Sequence, residues 1–181
     1  MLVSPPRLVI LCGRSYSGKS TLTGILRELG AQVVSLDEIM QRRGLSSGDG
    51  LPLHEWQRTH EIGVAETAEL LDARHTVAVD DTGSPRFLRD GWRSLAVEHG
   101  AAPVLVYLDA PFELVRERWR ANATSGSRHH VAEDVLEEHL AAFEPPTADE
   151  HPVILNALKS PNEWRATLEA ALAISETREN W

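Results

Sequence analysis

Lysine is nearly absent from this chain of 181 residues. Of 18 basic residues only Lys19 and Lys159 are lysine; the rest are arginine. Cysteine is rarer still. Cys12 stands alone, so no intrachain disulfide can form. No apolar run approaches the ~20 residues of a membrane-spanning helix, so no membrane partner is expected. The opening Met1-Leu2-Val3-Ser4-Pro5-Pro6 has neither a charged region nor a long apolar stretch, so no signal peptide is expected. Together these absences predict a cytoplasmic protein. Positive charge is also in deficit. The formal net charge of −9 disfavours nonspecific binding to nucleic acid, although a local basic groove stays open. The eight histidines form no H-E-x-x-H, and His129-His130 are neighbours with poor geometry for one metal, so no zinc centre is expected. No N-K-x-D occurs, which argues against guanine-specific binding. There is no internal repeat or low-complexity tract, and the length suits one domain spanning 1–181.

Against this background, one of the two lysines falls inside Gly13-Arg14-Ser15-Tyr16-Ser17-Gly18-Lys19-Ser20, which reads G-x-x-x-x-G-K-S, the phosphate-binding P-loop. Glycines let the backbone turn so that successive N–H groups face inward as an anion nest. The following helix adds its positive end. Lys19 can reach the β- and γ-phosphates, and the Ser20 hydroxyl can bind Mg²⁺. The context fits. Residues 7–12 form a short apolar run ending at Gly13, and Leu22, Ile25, Leu26 and Leu29 then recur at helical spacing before Gly30. The alternative is a glycine turn with a solvated lysine.

Short apolar runs alternate with helical patterns along the rest of the chain, which predicts an α/β fold of three layers. Strands are expected at 7–12, 32–35, 76–80, 104–108 and 153–156. Residues 42–53 are polar and glycine-rich and read as a surface loop. Helices are expected from Glu55 to Ala73 (core Ile62, Ala65, Leu70 and Leu71), and behind Ser84-Pro85, with Ser84 as cap. Others are expected from Pro111 to about Asn122, over Val131–Phe143, and behind Ser160-Pro161. Thr124 to Ser127 reads as a break. Trp92, Trp119 and Trp164 read as core.

Three further features bear on chemistry. Asp80 ends an apolar strand, where a carboxylate can hold Mg²⁺ through water. Asp81 is adjacent and could share the role, and either could instead cap a helix. No Glu follows, unlike a motor-type ATPase. Asp37 lies 18 residues after Lys19, just past the second strand, and ligands of open α/β sheets bind beyond the carboxyl ends of strands. A carboxylate there can accept the proton of an attacking hydroxyl; it could also cap Glu38-Ile39-Met40, or belong to a rival metal-binding strand over 33–38. The third feature is the arginine group Arg116, Arg118, Arg120 and Arg128. Arg116 and Arg120 share a helix face, and Arg118 points elsewhere. Arginines on a mobile lid, about 116–131, can stabilise a transferring phosphoryl group and exclude water, or pair with Glu113 and Glu117 on a solvated face. His54, Trp56, Arg42 and Arg43 could contact an acceptor.

The set Gly13–Ser20, Asp37, Asp80-Asp81-Thr82, Arg116–Arg120 and Phe143-Glu144-Pro145-Pro146-Thr147 resembles the small P-loop kinases of the AAA_33 type. These are grouped with the 5′-hydroxyl kinase domain of polynucleotide kinase, and more distantly with zeta toxin and chloramphenicol phosphotransferase. The resemblance covers about residues 7 to 156. It implies a five-stranded parallel sheet of order 2-3-1-4-5 with a helical lid, ATP-Mg²⁺ as donor, Asp37 as general base and lid arginines as phosphate clamps. In polynucleotide kinase an arginine three residues after the base grips the nucleic acid; here that position is Met40.

The expected activity is therefore transfer of the ATP γ-phosphate to a hydroxyl of a small acceptor. A polynucleotide 5′-hydroxyl acceptor is the first alternative, and a slow nucleotide-binding regulatory module the second. The expected nucleotide site comprises Gly13, Ser15, Tyr16, Ser17, Gly18, Lys19, Ser20, Thr21 and Arg116. Lys19, Asp37, Arg120 and Arg128 are the expected catalytic groups, and Ser20 with Asp80 the expected Mg²⁺ ligands.

Overall fold

A computed structural model describes residues 5–46, 51–126 and 131–173. Five strands form one parallel sheet: β1 Arg7–Cys12, β2 Gln32–Ser35, β3 Val77–Asp80, β4 Ala102–Asp109 and β5 Val153–Asn156. Their order is β2-β3-β1-β4-β5, the order implied by the resemblance. β1 is central, hydrogen-bonded to β3 and β4 (Ile10 beside Val79 and Leu105), and all six of its residues are buried. A strand covered on both faces needs such a continuous apolar run. The helices are α1 Lys19–Glu28, α2 Leu36–Arg42, α3 Leu53–Asp72, α4 Arg86–Glu98, α5 Phe112–Ser125, α6 Glu133–Ala142 and α7 Pro161–Ala173.

Successive side chains of a strand face opposite sides, and β1 divides accordingly. Val9 and Leu11 join a core with Leu22 and Leu26 of α1, Val115 of α5, Leu136 of α6 and Leu168 of α7. Leu8 and Ile10 join a second core with Ile39 of α2, Leu71 of α3 and Trp92 of α4. The sheet is thus the middle of three layers.

Several local expectations are corrected. Ala65, expected in the core, is exposed; α3 buries Leu71 as expected, together with Thr59, Gly63 and Thr67, and packs Ile62 and Leu70 at the edge. The reason lies at Gly63, where an added Cβ would come within 2.6 Å of Leu36. The helix turns its smallest residue toward α2. Ser84 does not cap α4. Its Oγ accepts a hydrogen bond from the Glu144 N–H at 2.9 Å, and the helix starts at Arg86. Helix α5 runs on through Thr124 to Ser125, where Gly126, at φ 60°, ends it in the left-handed region that glycine tolerates. Between 42 and 53, Arg43 closes the chain back on α3 by donating to the Glu55 carbonyl and the Thr59 hydroxyl at 2.8 and 2.7 Å.

Candidate active site

The site lies where β1 runs into α1. Gly18 stands at φ 112° as the cap of α1, and Tyr16 adopts φ 61°. Left-handed residues of this kind turn consecutive N–H groups toward one side. An added Cβ on Gly13 would meet Ser17 Oγ at 3.0 Å and the Leu108 carbonyl at 3.1 Å, so any larger residue would crowd both. The Tyr16 side chain is buried in the core, and its hydroxyl accepts from the Val131 N–H at 3.5 Å, so the side chain is turned away from the surface of the loop. Ser17 is fully buried, and its Oγ has no hydrogen-bond partner among the described residues. Ser15 is half-buried; Ser20 and Thr21 are exposed on the first turn of α1. Lys19 is folded back over the loop, its Nζ donating to the carbonyls of Gly13 at 2.6 Å and Arg14 at 2.9 Å.

The loop is seated on the turn after β3. The Gly13 N–H donates to the Thr82 carbonyl at 3.0 Å, and Cys12 Sγ donates to the Gly83 carbonyl at 3.3 Å. Burial pushes the Cys12 thiol up to about 12, so it stays protonated and unreactive. Gly83 has φ 61°, and a Cβ there would lie 2.5 Å from the Leu11 carbonyl oxygen. Gly83→Ala is therefore expected to lower unfolding free energy by roughly 2 kcal/mol or more. Denaturant unfolding checks this; a change under 0.5 kcal/mol would mean the turn relaxes freely.

Asp80 ends β3 beside Ser35 of β2. Burial raises its pKa to about 6; Lys19 opposes the rise, and Asp37, Asp81 and Glu38 add to it. Ionised Asp80 thus costs folding stability at neutral pH, a cost that fades as pH falls from about 6 toward the unfolded-chain value near 4. A cation beside it removes the cost. Burial likewise raises the pKa of Asp81. Asp81 Oδ1 accepts from the Thr82 N–H at 2.6 Å, and its Oδ2 is buried without a hydrogen-bond partner among the described residues. Among the described residues no three His, Cys, Asp or Glu side chains converge as a metal cage. Mg²⁺ needs none, since one or two carboxylates with substrate phosphates commonly hold it.

Asp37 lies exposed in the first turn of α2. The cap of that helix is Ser35, whose Oγ accepts from the Glu38 N–H at 3.4 Å, so the Asp37 carboxylate is not spent on capping. Its charge is felt at Asp80, as is that of Lys19. The three groups therefore share one electrostatic neighbourhood at the carboxyl edge of the sheet.

The arginines of α5 divide differently from expectation. Arg116 forms a two-pronged pair with Glu137 of α6, Nε and Nη2 donating at 2.9 and 2.8 Å. Arg118, expected to point elsewhere, lies against the P-loop. Its Nη1 donates to the carbonyls of Ser17 and, at 3.3 Å, Tyr16, and its Nη2 to the Ala157 carbonyl at 3.5 Å. Arg120 is exposed. Arg128 and His129-His130 lie outside the described residues. Of the polar groups near 42–56, Arg42 pairs with Glu66 at 2.7 Å and Arg43 is engaged as above. His54 and Trp56 are exposed.

Comparison with known proteins agrees with this fold. Residues 8–146 match the family model AAA_33, described as an AAA domain. A probable gluconokinase from Schizosaccharomyces pombe (strain 972 / ATCC 24843) is 30% identical over 161 residues, 85% of this chain and 81% of the relative. A gluconokinase from Sinorhizobium meliloti 1021 superposes with a TM-score of 0.65 at 21% identity, over 94% of this chain and 93% of that one. The Mycobacterium tuberculosis APS kinase in complex with AMPPNP and APS gives 0.67 at 19%, over 94% and 99%. The two solved structures share the fold.

Proposed function

This chain belongs to the AAA_33 family, and on that premise we propose that it is an ATP-dependent kinase whose acceptor is a hydroxyl of a small sugar acid such as gluconate. The observation that carries the reading is that Lys19 follows β1, Asp80 ends the neighbouring β3 and Asp37 follows β2 beyond it, so that all three stand at the carboxyl edge of the sheet. The 30% identity to a probable gluconokinase supports the acceptor class.

In the reaction the acceptor oxygen forms a bond to the γ-phosphorus of ATP, the bond from that phosphorus to the β–γ bridging oxygen breaks, and ADP leaves. The P-loop amides at Ser15, Tyr16, Gly18 and Ser20 cradle the phosphates, while those of Gly13, Ser17 and Thr21 hold the loop's shape by donating to the carbonyls of Thr82, Arg14 and Gly18. Lys19 leaves its two carbonyl partners to meet the γ-phosphoryl oxygens and the charge that develops on them. Asp37 orients the acceptor hydroxyl and takes its proton. Ser20 and Asp80 would hold Mg²⁺, which when bound neutralises phosphate charge. Arg120 of α5 supplies further positive charge, as does Arg128, which lies outside the described residues. Arg116 reaches the nucleotide only by leaving Glu137.

A polynucleotide acceptor is less well supported. Met40 stands where the resemblance would need an arginine, and its side chain is 1% exposed and cannot touch an acceptor. Labelled phosphate from ATP is therefore expected on gluconate and not on a 5′-hydroxyl oligonucleotide. Labelling of the oligonucleotide alone would transfer the assignment to the nucleic acid kinases.

A further inference from the structure

The P-loop carries an arginine at position 14, and the surroundings of this side chain play no part in the chemistry above. The Arg14 guanidinium carbon lies 4.5 Å from the ring centroid of Phe112 and 4.7 Å from that of Phe143. Its Nη1 donates to the Ala110 carbonyl at 3.3 Å, while its Nε is buried with no hydrogen-bond partner among the described residues. Phe143 in turn stacks on Tyr107, centroids 6.3 Å apart and planes 21° from parallel. A flat, weakly hydrated cation between two rings is held by attraction to both faces, which the point charge of a lysine reproduces less well.

The origin of the two rings matters. Phe112 is the first residue of α5, and Phe143 caps the far end of α6. These are the two outer ends, or roots, of the α5–α6 pair, which brackets the lid expected at about 116–131. The main-chain carbonyl of Arg14 meanwhile accepts from Lys19 Nζ at 2.9 Å. One residue thus touches both lid roots through its side chain and the phosphate-binding lysine through its backbone.

We propose that Arg14 is a positioning residue that couples the lid to the phosphate loop, so that the loop reaches its binding geometry only with both lid roots seated. The proposal rests on the reading of residues 13–20 as the phosphate site. It treats Arg14 as acting through loop shape and assigns it no contact with phosphate.

The test is ADP affinity by calorimetry on the full chain, with melting temperature recorded alongside. The variants are Arg14→Met, the pair Phe112→Leu with Phe143→Leu, all three together, and Arg14→Lys. Arg14→Met and the ring pair are each expected to weaken ADP about tenfold. The triple variant is expected to bind no more weakly than the worse of the two, because one contact is removed either way. Arg14→Lys, which keeps charge and most of the volume, is expected to lose at least threefold. Multiplying losses in the triple variant, or full affinity in Arg14→Lys, would overturn the coupling. So would a lower melting temperature in Arg14→Met with ADP affinity within twofold of wild type. A wild-type chain that binds no ADP would remove the phosphate-site reading itself, and the proposal with it.

Discussion

Asp37→Asn is expected to lower phosphoryl transfer by about 10²–10⁴-fold while leaving ADP affinity within twofold of wild type. The substitution keeps the shape of the side chain and removes its capacity to take a proton. The structural ground is the division of labour at the start of α2. Ser35 caps the helix through its hydroxyl, leaving Asp37 exposed in the first turn. A carboxylate needed only as a cap would be replaceable by asparagine at little cost, since asparagine caps as well as aspartate. Base and cap are therefore separable in one variant. Transfer to gluconate within threefold of wild type would take Asp37 out of the mechanism.

Arg89→Met is expected to cost about 3 kcal/mol of folding stability, because it removes the buried cation that holds a buried carboxylate and leaves the carboxylate to Arg93 and the Thr147 N–H. Both side chains of the Arg89–Glu150 pair are 0% exposed. Arg89 Nε and Nη2 each donate to Glu150 at 2.7 Å, and Nη1 donates to the carbonyls of Gly83 at 2.7 Å and Glu144 at 3.0 Å. Glu150 also accepts from the Thr147 N–H at 3.0 Å and from Arg93 Nη2 at 3.1 Å. The pair therefore ties α4, the turn under the P-loop and the Phe143–Thr147 stretch into one unit. The Arg89 hydrogen bonds, more than any other contact, pull the Glu150 carboxyl down to about 2. A depressed carboxyl pKa stabilises the fold above the unfolded value near 4.3, and that stability is lost as pH falls from there toward 2. Acid unfolding of wild type should show this loss, and Arg89→Met should show a smaller one. Replacing Arg89 and Glu150 together by apolar residues should cost less than Arg89→Met alone. Equal losses would mean that Arg93 and the Thr147 N–H suffice to hold the Glu150 carboxylate without Arg89.

What could be read from the chain beforehand was local. The P-loop, the strand feeding it and the helix leaving it occupy 22 consecutive residues, 7–28, and each is written in glycine placement or apolar period. The placement of Asp37 and Asp80 at the carboxyl edge was legible because a carboxylate just past an apolar strand has few places to be. The Arg89–Glu150 pair was not, since 61 residues separate its members and no periodicity links them. Arg118 was missed for a related reason. Helical spacing says which residues share a face, but not which face meets the P-loop, and its partner Ser17 lies 101 residues away. The buried face of α3 was misjudged by a small angle, because close approach of α2 rewards glycine at 63 over the larger apolar neighbours.

The most direct measurement is the position of the acceptor hydroxyl in a ternary complex with gluconate and a non-hydrolysable ATP analogue. The account predicts a hydroxyl oxygen about 2.6–3.2 Å from an Asp37 carboxylate oxygen and in line with the γ-phosphorus over Lys19. Gluconate seated with its hydroxyls against another side chain, and Asp37 facing open solvent, would contradict it.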